Sequence, residues 1–328
     1  VEIRSSVAGY QIDRHSGNLM SIQAHDREYL QRPWVRNFWR APTDNDFGSG
    51  MHVWAALWEQ AGAGSALATL TEPLLREGVV HLMTRQTFSA SDGTVLAGWE
   101  TSYQFHPGGA VDVRNEITLG DDLPVVPRIG TNAEFRPDVD AVCWYGRGPF
   151  ENYADRKLAA RVGRYQNSVA DHYVPYLRPQ ENGYKTDTQW LALSDRERGL
   201  LFSSASGFCF AVHHNRQQDF IPDEPIAGAF GNSRPATNMH VNDVVRRDLV
   251  SLDLDYGQMG LGGDDSWGSR THMKYALANR HYRYDYRIQP FALEDLDLLV
   301  RRVDHGPIRA SDQTTFVTPS ALIRRDSR

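Results

Sequence analysis

VDVRNEITL, residues 111–119, indicates the fold most clearly, because its apolar and polar side chains alternate. The apolar set is Val111, Val113, Ile117 and Leu119, and the polar set is Asp112, Arg114, Glu116 and Thr118. A period of two residues places one set on each face of an extended chain, which predicts a strand with one buried and one solvated face. The turn sequence HPGG precedes it at residues 106–109 and predicts a hairpin with a strand at residues 99–105.

The same alternation recurs along the chain, most clearly from His281 to Ile288, where three tyrosines and an isoleucine share one face. Further short strands are predicted at residues 10–12, 19–22, 189–193, 200–204, 208–213 and 248–256. The composition agrees, because 8 Trp, 14 Tyr and 13 Phe suit half-buried pleated surfaces and 27 Gly supply turns. We therefore predict an all-β fold in which sheet packs on sheet, rather than alternating strands and helices.

One or two short helices are predicted to interrupt the strands. The first, over residues 52–62, has apolar residues at helical spacing and ends at Gly62. Its apolar residues are Trp54, Leu57, Trp58 and Ala61. The second lies near the end of the chain, with the stripe Leu293, Leu296, Leu299, Val300 and Val303. Residues 1–290 are predicted as one β domain, and residues 291–328 as a C-terminal helix with a polar tail.

Length, charge and apolar patterning exclude several classes of protein. The 328 residues can bury a large core, and 35 Lys and Arg against 41 Asp and Glu give a net charge of −6. The sequence thus has no basic excess for nucleic acid, and no apolar run reaches the roughly 18 residues of a membrane helix. We expect a soluble protein, favour the cytoplasm, and interpret Val1 as the first residue of a processed chain or an excised piece. Cys143 and Cys209 are expected as buried free thiols.

Four stretches rich in Gly, Pro and polar side chains are predicted as loops, where binding residues concentrate on a β scaffold. They are RAPTDNDFG at residues 40–48, GRGPFENYADR at 146–156, PYLRPQENG at 175–183 and MGLGGDDSW at 259–267. The first could position a cation, a sugar hydroxyl or Arg40, or could equally form a structural ion-pair network. The second and third carry hydrogen-bonding groups that suit a neutral polyol, and that also serve to fix long loops.

The fourth stretch places Trp267 shortly after paired acids, Asp264 and Asp265. An exposed indole can stack on the apolar C–H face of a sugar ring while nearby carboxylates accept its hydroxyl hydrogens. The alternative is that Trp267 plugs the loop into the core. The sequence has no HExxH, Cys/His ligand set, GxSxG, P-loop or GxGxxG. Carboxylates suited to glycoside hydrolysis are numerous, but nothing singles out a pair.

In order and spacing, the four stretches resemble the signatures of the C-terminal domain of large β-galactosidases of glycoside hydrolase family two, which also occurs as a separate small chain. The resemblance runs from about residue 3 to about residue 290. It implies a large antiparallel β-supersandwich of the galactose mutarotase type, in agreement with the strands predicted above. It also implies that the catalytic glutamates lie on a preceding (β/α)8 barrel, for which this chain has no room. No catalytic residue is therefore expected here.

The resemblance also implies roles for individual residues. Trp267 matches a tryptophan that reaches into the neighbouring active site and stacks on the sugar at the acceptor or leaving-group position, with Asp264 and Asp265 beside it. Gly48, with Asp46, matches the start of a mobile loop that closes over the substrate, although the helix predicted at 52–62 shortens that loop. Residues expected to support the motifs are Arg40, Asp44, Asn45, Glu151, Arg156, Glu181 and Asn182.

As partners we expect the remaining domains or the large chain of a β-galactosidase, a galactoside substrate, and further copies of the complete enzyme in a homo-oligomer. Neither nucleic acid nor membrane is expected as a partner. No cofactor is expected in this chain, although Mg²⁺ or Na⁺ could serve the complete enzyme.

Two alternative functions fit the same residues. One is a free-standing carbohydrate-binding module whose binding face is Trp267. The other is a mutarotase-like epimerase, which would need a histidine acid and a carboxylate base, with His213 or His214 as the histidine.

Overall fold

The computed structural model describes residues 1–61, 65–222 and 239–303. In these residues the chain forms 17 β-strands that belong to one hydrogen-bonded sheet, whose ladders are antiparallel. The strands are β1 Glu2–Arg4, β2 Ala8–Ile12, β3 Leu19–Ala24, β4 Arg27–Glu28, β5 Leu30–Asn37, β6 Ser65–Leu70, β7 Leu74–Arg76, β8 Val79–Ser89, β9 Val95–Phe105, β10 Val111–Leu119, β11 Arg128–Phe135, β12 Ala141–Gly148, β13 Arg161–Ser168, β14 Lys185–Ser194, β15 Arg198–His213, β16 Val250–Gln258 and β17 His281–Ala292. The all-β prediction is therefore confirmed.

The hairpin predicted from the turn at residues 106–109 joins β9 to β10. Ile117 lies opposite Trp99 in this hairpin, so an aliphatic and an aromatic side chain meet on the buried face. Asn115 shares that face, where its Oδ1 accepts hydrogen bonds from Trp99 Nε1 and Thr101 Oγ1, each at 3.0 Å. The other edge of β10 pairs with β17. The alternation in VDVRNEITL thus predicts both the strand and its buried face.

β15 connects two parts of the curled sheet. One edge of β15 pairs with β14, while its other edge pairs first with β17 and then with β16. The sequence predicts two strands here, at residues 200–204 and 208–213, because the apolar pattern lapses between them. This prediction is wrong, since one strand continues through residues 205–207. Gly207 lies within it at a φ of +80°, a backbone conformation that glycine adopts readily.

Aromatic side chains fill the space enclosed by the sheet. The ring of Phe38 lies 5.5 Å from that of Trp99, and the ring of Trp34 lies 5.7 Å from that of Phe202, measured between centroids. These separations are typical of favourable aromatic pairs. Most of the aromatic surplus in the composition is therefore used in the core.

The two cysteines lie outside any disulfide. Cys143 is buried, as predicted, and Cys209 is partly buried. Burial raises the pKa of both thiols, that of Cys209 to about 12. Both are therefore thiols at neutral pH.

α-Helices occupy two regions of the described chain, and short 3-10 helices lie at Val169–His172, Gln217–Phe220, Val241–Asp243, Met273–Tyr275 and Leu293–Asp295. The α-helices are α1 Asp44–Gly48, α2 Met51–Trp54 and α3 Ala56–Ala61 in the first region, and α4 Leu296–Arg302 in the second. Residues 44–48, predicted as loop, are helical because Thr43 caps the helix: its Oγ1 accepts from Asp46 N, and its own N–H donates to Asp46 Oδ2. Gly50, with a φ of +74°, then separates α1 from α2. None of the described helices is long and apolar enough to cross a membrane.

The chain after residue 290 stays packed on the sheet as far as the structure describes it. β17 extends to Ala292, and Leu296 and Val300 of α4 join an apolar cluster with Tyr145 and Trp190. The division at residue 290 stays a prediction. The predicted polar tail, from about residue 305 onward, lies outside the described residues.

Candidate functional site

Arg40 joins the first of the four motifs to the fourth. Its side chain is fully buried, and its guanidinium binds both carboxylate oxygens of Asp46, at 3.1 and 2.8 Å. The same group donates to the carbonyl oxygens of Met259 and Gly260, at 2.6 and 3.1 Å. A buried charge needs such partners, because an uncompensated one costs several kcal/mol. The ion-pair interpretation of this motif therefore holds for Arg40 and Asp46, and Asp46 supports the site without facing solvent.

Asn45 ties helix α1 to the chain around Trp267. Its Nδ2 donates to the carbonyl oxygens of Leu261 and Ser269, both at 2.9 Å, and its Oδ1 accepts from Gly268 N at 2.7 Å. The indole Nε1 of Trp267 itself donates to the carbonyl oxygen of Asp44 at 2.9 Å. Four hydrogen bonds thus hold the Trp267 segment against the helix.

Gly48 ends α1 directly beneath the indole. A Cβ at this position would lie 2.7 Å from Cε2 of Trp267 and 2.9 Å from the Cα of Gly268, closer than atoms approach without displacement. The absence of a side chain at residue 48 therefore allows Trp267 to lie flat against the helix end. The resemblance implies that Gly48 begins a mobile loop, whereas the structure places it as the last residue of α1, with α2 following after two residues.

Trp267 keeps 48% of its surface exposed although its position is fixed. The two acids before it are also exposed: Asp264 accepts from His272 Nε2 at 2.8 Å, and Asp265 accepts from Ser269 N at 3.0 Å. Hydrogen bonding by Ser269 lowers the pKa of the Asp265 carboxyl, which is ionised at neutral pH. The result is an aromatic surface next to two hydrogen-bond acceptors, and it does not plug the core.

The third motif meets the first at Asp44. The backbone N of Asp44 donates to Gln180 Oε1 at 3.2 Å, and Gln180 Nε2 donates back to Asp44 Oδ2 at 3.3 Å. Arg178 lies 3.8 Å from Asp44 Oδ1 and stacks its guanidinium 4.7 Å from the ring centroid of Phe47. Asp44 therefore sits between Trp267 and the third motif, with its side chain partly exposed.

Glu181 of the third motif belongs to a buried ionic cluster instead of the surface. Arg128, fully buried, contacts Glu181 at 3.0 Å, Asp253 at 3.2 Å and Asp255 at 3.2 Å. Burial raises the pKa of Glu181, and it raises that of Asp255 well above the usual range, with Arg128 opposing both shifts. Three acids around one arginine favour retention of a proton in the cluster. Its role is to fix the third motif on β11 and β16.

The second motif holds the third through Glu151. Glu151 Oε2 accepts from Gly183 N at 2.8 Å, and its other oxygen accepts from Tyr176 and from Arg156. Asn182 accepts from Val174 N at 3.1 Å through its own side chain, inside the same loop. Glu151 and Asn182 are therefore structural supports.

Asp155 connects the second motif to the fourth. Its Oδ2 accepts from Leu261 N at 2.7 Å and from Gly262 N at 3.1 Å. The four motifs thus converge on one region, although more than 200 residues separate the first from the fourth.

The structure brings the four motifs together, but only some of the residues that the sequence singles out reach solvent. Of the predicted binding residues, Trp267, Asp264 and Asp265 are exposed. Three residues that the sequence analysis did not single out also hold the motifs together, namely Arg128, Asp155 and Gln180. Asp155 and Gln180 lie inside the quoted motifs, whereas no sequence signal marks Arg128. Among the described residues, no group of three or more His, Cys, Asp and Glu side chains has metal-binding geometry.

The sequence of the chain is similar to known proteins over most of its length. The family model described as beta galactosidase small chain matches residues 4–288. This chain belongs to the β-galactosidase small-chain family. A β-galactosidase from Pseudoalteromonas haloplanktis is 31% identical over 280 residues, covering 83% of this chain and 25% of the relative. One from Priestia megaterium is 32% identical over 280 residues, covering 85% and 25%. This small-chain domain thus spans about a quarter of the length of the curated relatives that it matches.

The fold of the small-chain domain also resembles that of a solved aldose epimerase. The GalM/aldose epimerase homologue from C. elegans superposes with a TM-score of 0.51 at 9% identity, covering 89% of this chain and 98% of that one. At such low identity the likeness concerns the fold alone. It confirms the predicted galactose mutarotase-like β-supersandwich.

Proposed function

We propose that this chain is the C-terminal domain or small subunit of a β-galactosidase that hydrolyses terminal β-D-galactosides. In this proposal the catalytic glutamates lie on a (β/α)8 barrel outside the chain, and the barrel is its partner. Family membership supports this proposal, as do the names of the relatives and the quarter of their length that the chain spans. A homo-oligomer, and Mg²⁺ or Na⁺ in the complete enzyme, stay predictions.

The observation that carries the proposal is the fixed, half-exposed indole of Trp267. A tryptophan held by a hydrogen bond to Asp44 and by contact with Gly48 has lost its rotamer freedom before any ligand arrives. Ordering an aromatic side chain in advance lowers the entropy cost of binding. Trp267 would stack on the sugar at the acceptor or leaving-group position, and the exposed carboxylates of Asp264 and Asp265 would accept its hydroxyl hydrogens.

The acids of the motifs support a binding role more than a catalytic one. Asp46, Glu151 and Glu181 are largely buried, and each is engaged by an arginine of the same domain. A retaining or inverting glycosidase needs two carboxyl groups that face one glycosidic bond from either side. The proposal therefore assigns bond cleavage to the barrel and sugar positioning to this chain.

Hydrolysis of a nitrophenyl β-galactoside tests this division of labour. The purified 328-residue chain should release no nitrophenol, whereas the complete enzyme should turn the same substrate over. Turnover by the chain alone, abolished by a single Asp or Glu substitution within it, would show that the chain carries its own catalytic acids.

A free-standing carbohydrate-binding module is the second candidate, because the exposed Trp267 face would serve it equally well. Isothermal titration of the chain with galactose, glucose and lactose separates the two functions. Millimolar binding to the lone chain favours the module. Absence of heat with all three sugars favours a domain that binds sugar only when joined to its barrel.

The mutarotase-like epimerase has less support from the histidines. His213 is buried, its Nε2 donates to the carbonyl oxygen of Asn182 at 3.0 Å, and burial lowers its pKa to about 4. His214 Nδ1 is likewise bound to the carbonyl oxygen of Leu249. A polarimetric mutarotation assay on the chain should therefore show no acceleration over buffer.

A further inference from the structure

A pocket lies next to the segment that carries Trp267. The pocket has a volume of about 350 Å³ and lies between α1, α2, the chain at residues 123–125 and the residues on either side of the Trp267 loop. Its apolar walls include Leu123, Pro124, Val125, Met259 and Met273. Small-molecule sites start at roughly this volume and have similarly apolar walls.

Two polar atoms of this pocket are buried without a hydrogen bond among the described residues, and an exposed arginine lies beside them. The indole Nε1 of Trp54 and the hydroxyl of Thr271 are both shielded from solvent without a hydrogen bond. The guanidinium of Arg270 lies 4.4 Å from the ring centroid of Trp54 and forms no ion pair within the described part of the chain. A buried donor without an acceptor costs about 1–3 kcal/mol, so a ligand that accepts from Trp54 Nε1 and the Thr271 hydroxyl would relieve that cost.

The acid that lines the pocket does not oppose an anion. Asp46 contributes to the wall, but Arg40 binds both of its carboxylate oxygens. Among the described residues that line this pocket, Arg270 is therefore the charged group without an ion-pair partner, and its charge is positive.

We propose that this pocket binds a small monocarboxylate with an apolar body about the size of one ring. The carboxylate would accept hydrogen bonds from Arg270, Trp54 Nε1 and the Thr271 hydroxyl, since charged acceptors form the stronger hydrogen bonds. The apolar body would displace water from Leu123, Val125 and Met259. This inference does not depend on the proposed function, because Trp267 does not line the pocket.

A ligand in the pocket would contact residues that hold the Trp267 segment in place. Asn45 and Leu261 line the pocket, and the hydrogen bond between them is one of those that hold Trp267 in place. A bound ligand would pack against both residues and restrict the loop further.

Titration with phenylacetate tests the inference on the 328-residue chain. We expect saturable one-to-one binding with a Kd of about 1 mM, and binding at least tenfold weaker for phenylacetamide, which has the same shape without the charge. In a ¹H–¹⁵N spectrum, the indole N–H resonance that disappears in Trp54→Phe should be the one that phenylacetate shifts most. Absence of saturation at 20 mM, or equal binding of the amide, would overturn the inference.

Two variants and one matched control locate the binding. Arg270→Gln should weaken phenylacetate about tenfold, and Trp54→Phe, which removes one donor, about threefold. Arg283→Gln, at an exposed arginine on β17 away from the pocket, should leave the Kd unchanged. A Kd that Arg270→Gln and Trp54→Phe leave unaltered would place the ligand elsewhere and contradict the inference. Circular dichroism melts show that each variant is folded.

Discussion

At the scale of single residues, the candidate site depends on an arginine that is fully buried. Arg40 has no exposed surface, and its guanidinium donates to Asp46, to two carbonyl oxygens of the fourth motif and to the Gln258 side chain. Because the guanidinium is planar, it can hold a carboxylate with one edge and carbonyl oxygens with the other. Arg40 therefore positions the chain that leads to Trp267 by binding its backbone.

Replacing Arg40 should therefore be costly. In Arg40→Gln the Asp46 carboxylate stays buried without its counter-charge, and we expect a loss of about 3–5 kcal/mol in the free energy of unfolding, measured by urea denaturation. The matched control is Arg85→Gln, because Arg85 and Glu100 form an exposed pair, and its loss should not exceed about 1 kcal/mol. Equal losses for both variants would show that the buried network is not what stabilises this region.

His213 makes the stability of the domain depend on pH. Burial lowers the pKa of His213 to about 4, against an ordinary value of 6.5, so the folded chain binds fewer protons than the unfolded chain between these values. Stability from this residue is complete above pH 6.5 and is lost as the pH falls towards 4.

Between pH 7 and pH 4, the wild-type chain should therefore lose roughly 3 kcal/mol more than His213→Gln, whose amide can still donate to the Asn182 carbonyl oxygen. Urea denaturation at several pH values measures the difference. His281→Gln, at an exposed histidine, should follow the wild type. Parallel curves for wild type and His213→Gln would contradict the assignment.

The sequence indicated which motifs come together better than it indicated what each residue contacts. Asp44 and Asp46 stand two positions apart in one motif, and nothing in their spacing shows that Asp46 binds Arg40 while Asp44 faces the third motif. The division depends on a capping box at Thr43, which is a local signal, and on contacts with residues 180 and 259–260, which are distant in the sequence. Contacts between residues so far apart in the sequence cannot be predicted from a local sequence pattern.

At the scale of secondary-structure elements, strands were predictable where one face is solvated. β10 and β17 alternate clearly, whereas β15 contains a polar stretch and Gly207 in its middle, so it was predicted as two strands. α1 was missed because its five residues are too few for a helical period. Elements buried on both sides or shorter than two turns carry no periodic signal.

β11 shows how a strand accommodates the buried ionic cluster. Its register with β16 shifts between Ile129 and Gly130, one residue beyond Arg128. A Cβ on Gly130 would lie 1.7 Å from Asp255 Oδ1, so only glycine leaves room for that carboxylate. The glycine and the acid beside Arg128 are therefore one structural unit.

Gly130→Ala should destabilise the domain by about 3 kcal/mol, since overpacking within a rigid strand typically costs 1–3 kcal/mol and this contact is severe. Gly98→Ala is the matched control, because Gly98 also lies in a strand and a Cβ there meets nothing within 4 Å. We expect it to be neutral or slightly stabilising. Thermal melting monitored by circular dichroism compares the two, and a neutral Gly130→Ala would contradict the described packing around Asp255.

At the scale of the whole molecule, the chain holds the proposed binding groups on a β scaffold. Residues from four motifs spread over positions 40–267 converge around one exposed indole, and that indole is bound to α1 and the third motif through Asp44. The likeness to an aldose epimerase extends over 89% of the chain, yet the proposed binding group lies in a loop segment. In the proposed function the fold thus serves as a scaffold, and the loops would determine what it binds.

The central claim is that Trp267 contacts the sugar at the acceptor position of a β-galactosidase, and inhibition kinetics of the complete enzyme test it most directly. Trp267→Ala should weaken inhibition by glucose about tenfold, because one stacking surface is lost, while a galactose-site inhibitor such as galactonolactone changes less than twofold. Tyr256→Ala, at a ring of similar exposure that packs on Tyr282, should change neither. Equal weakening of both inhibitors by Trp267→Ala, or of neither, would contradict the account.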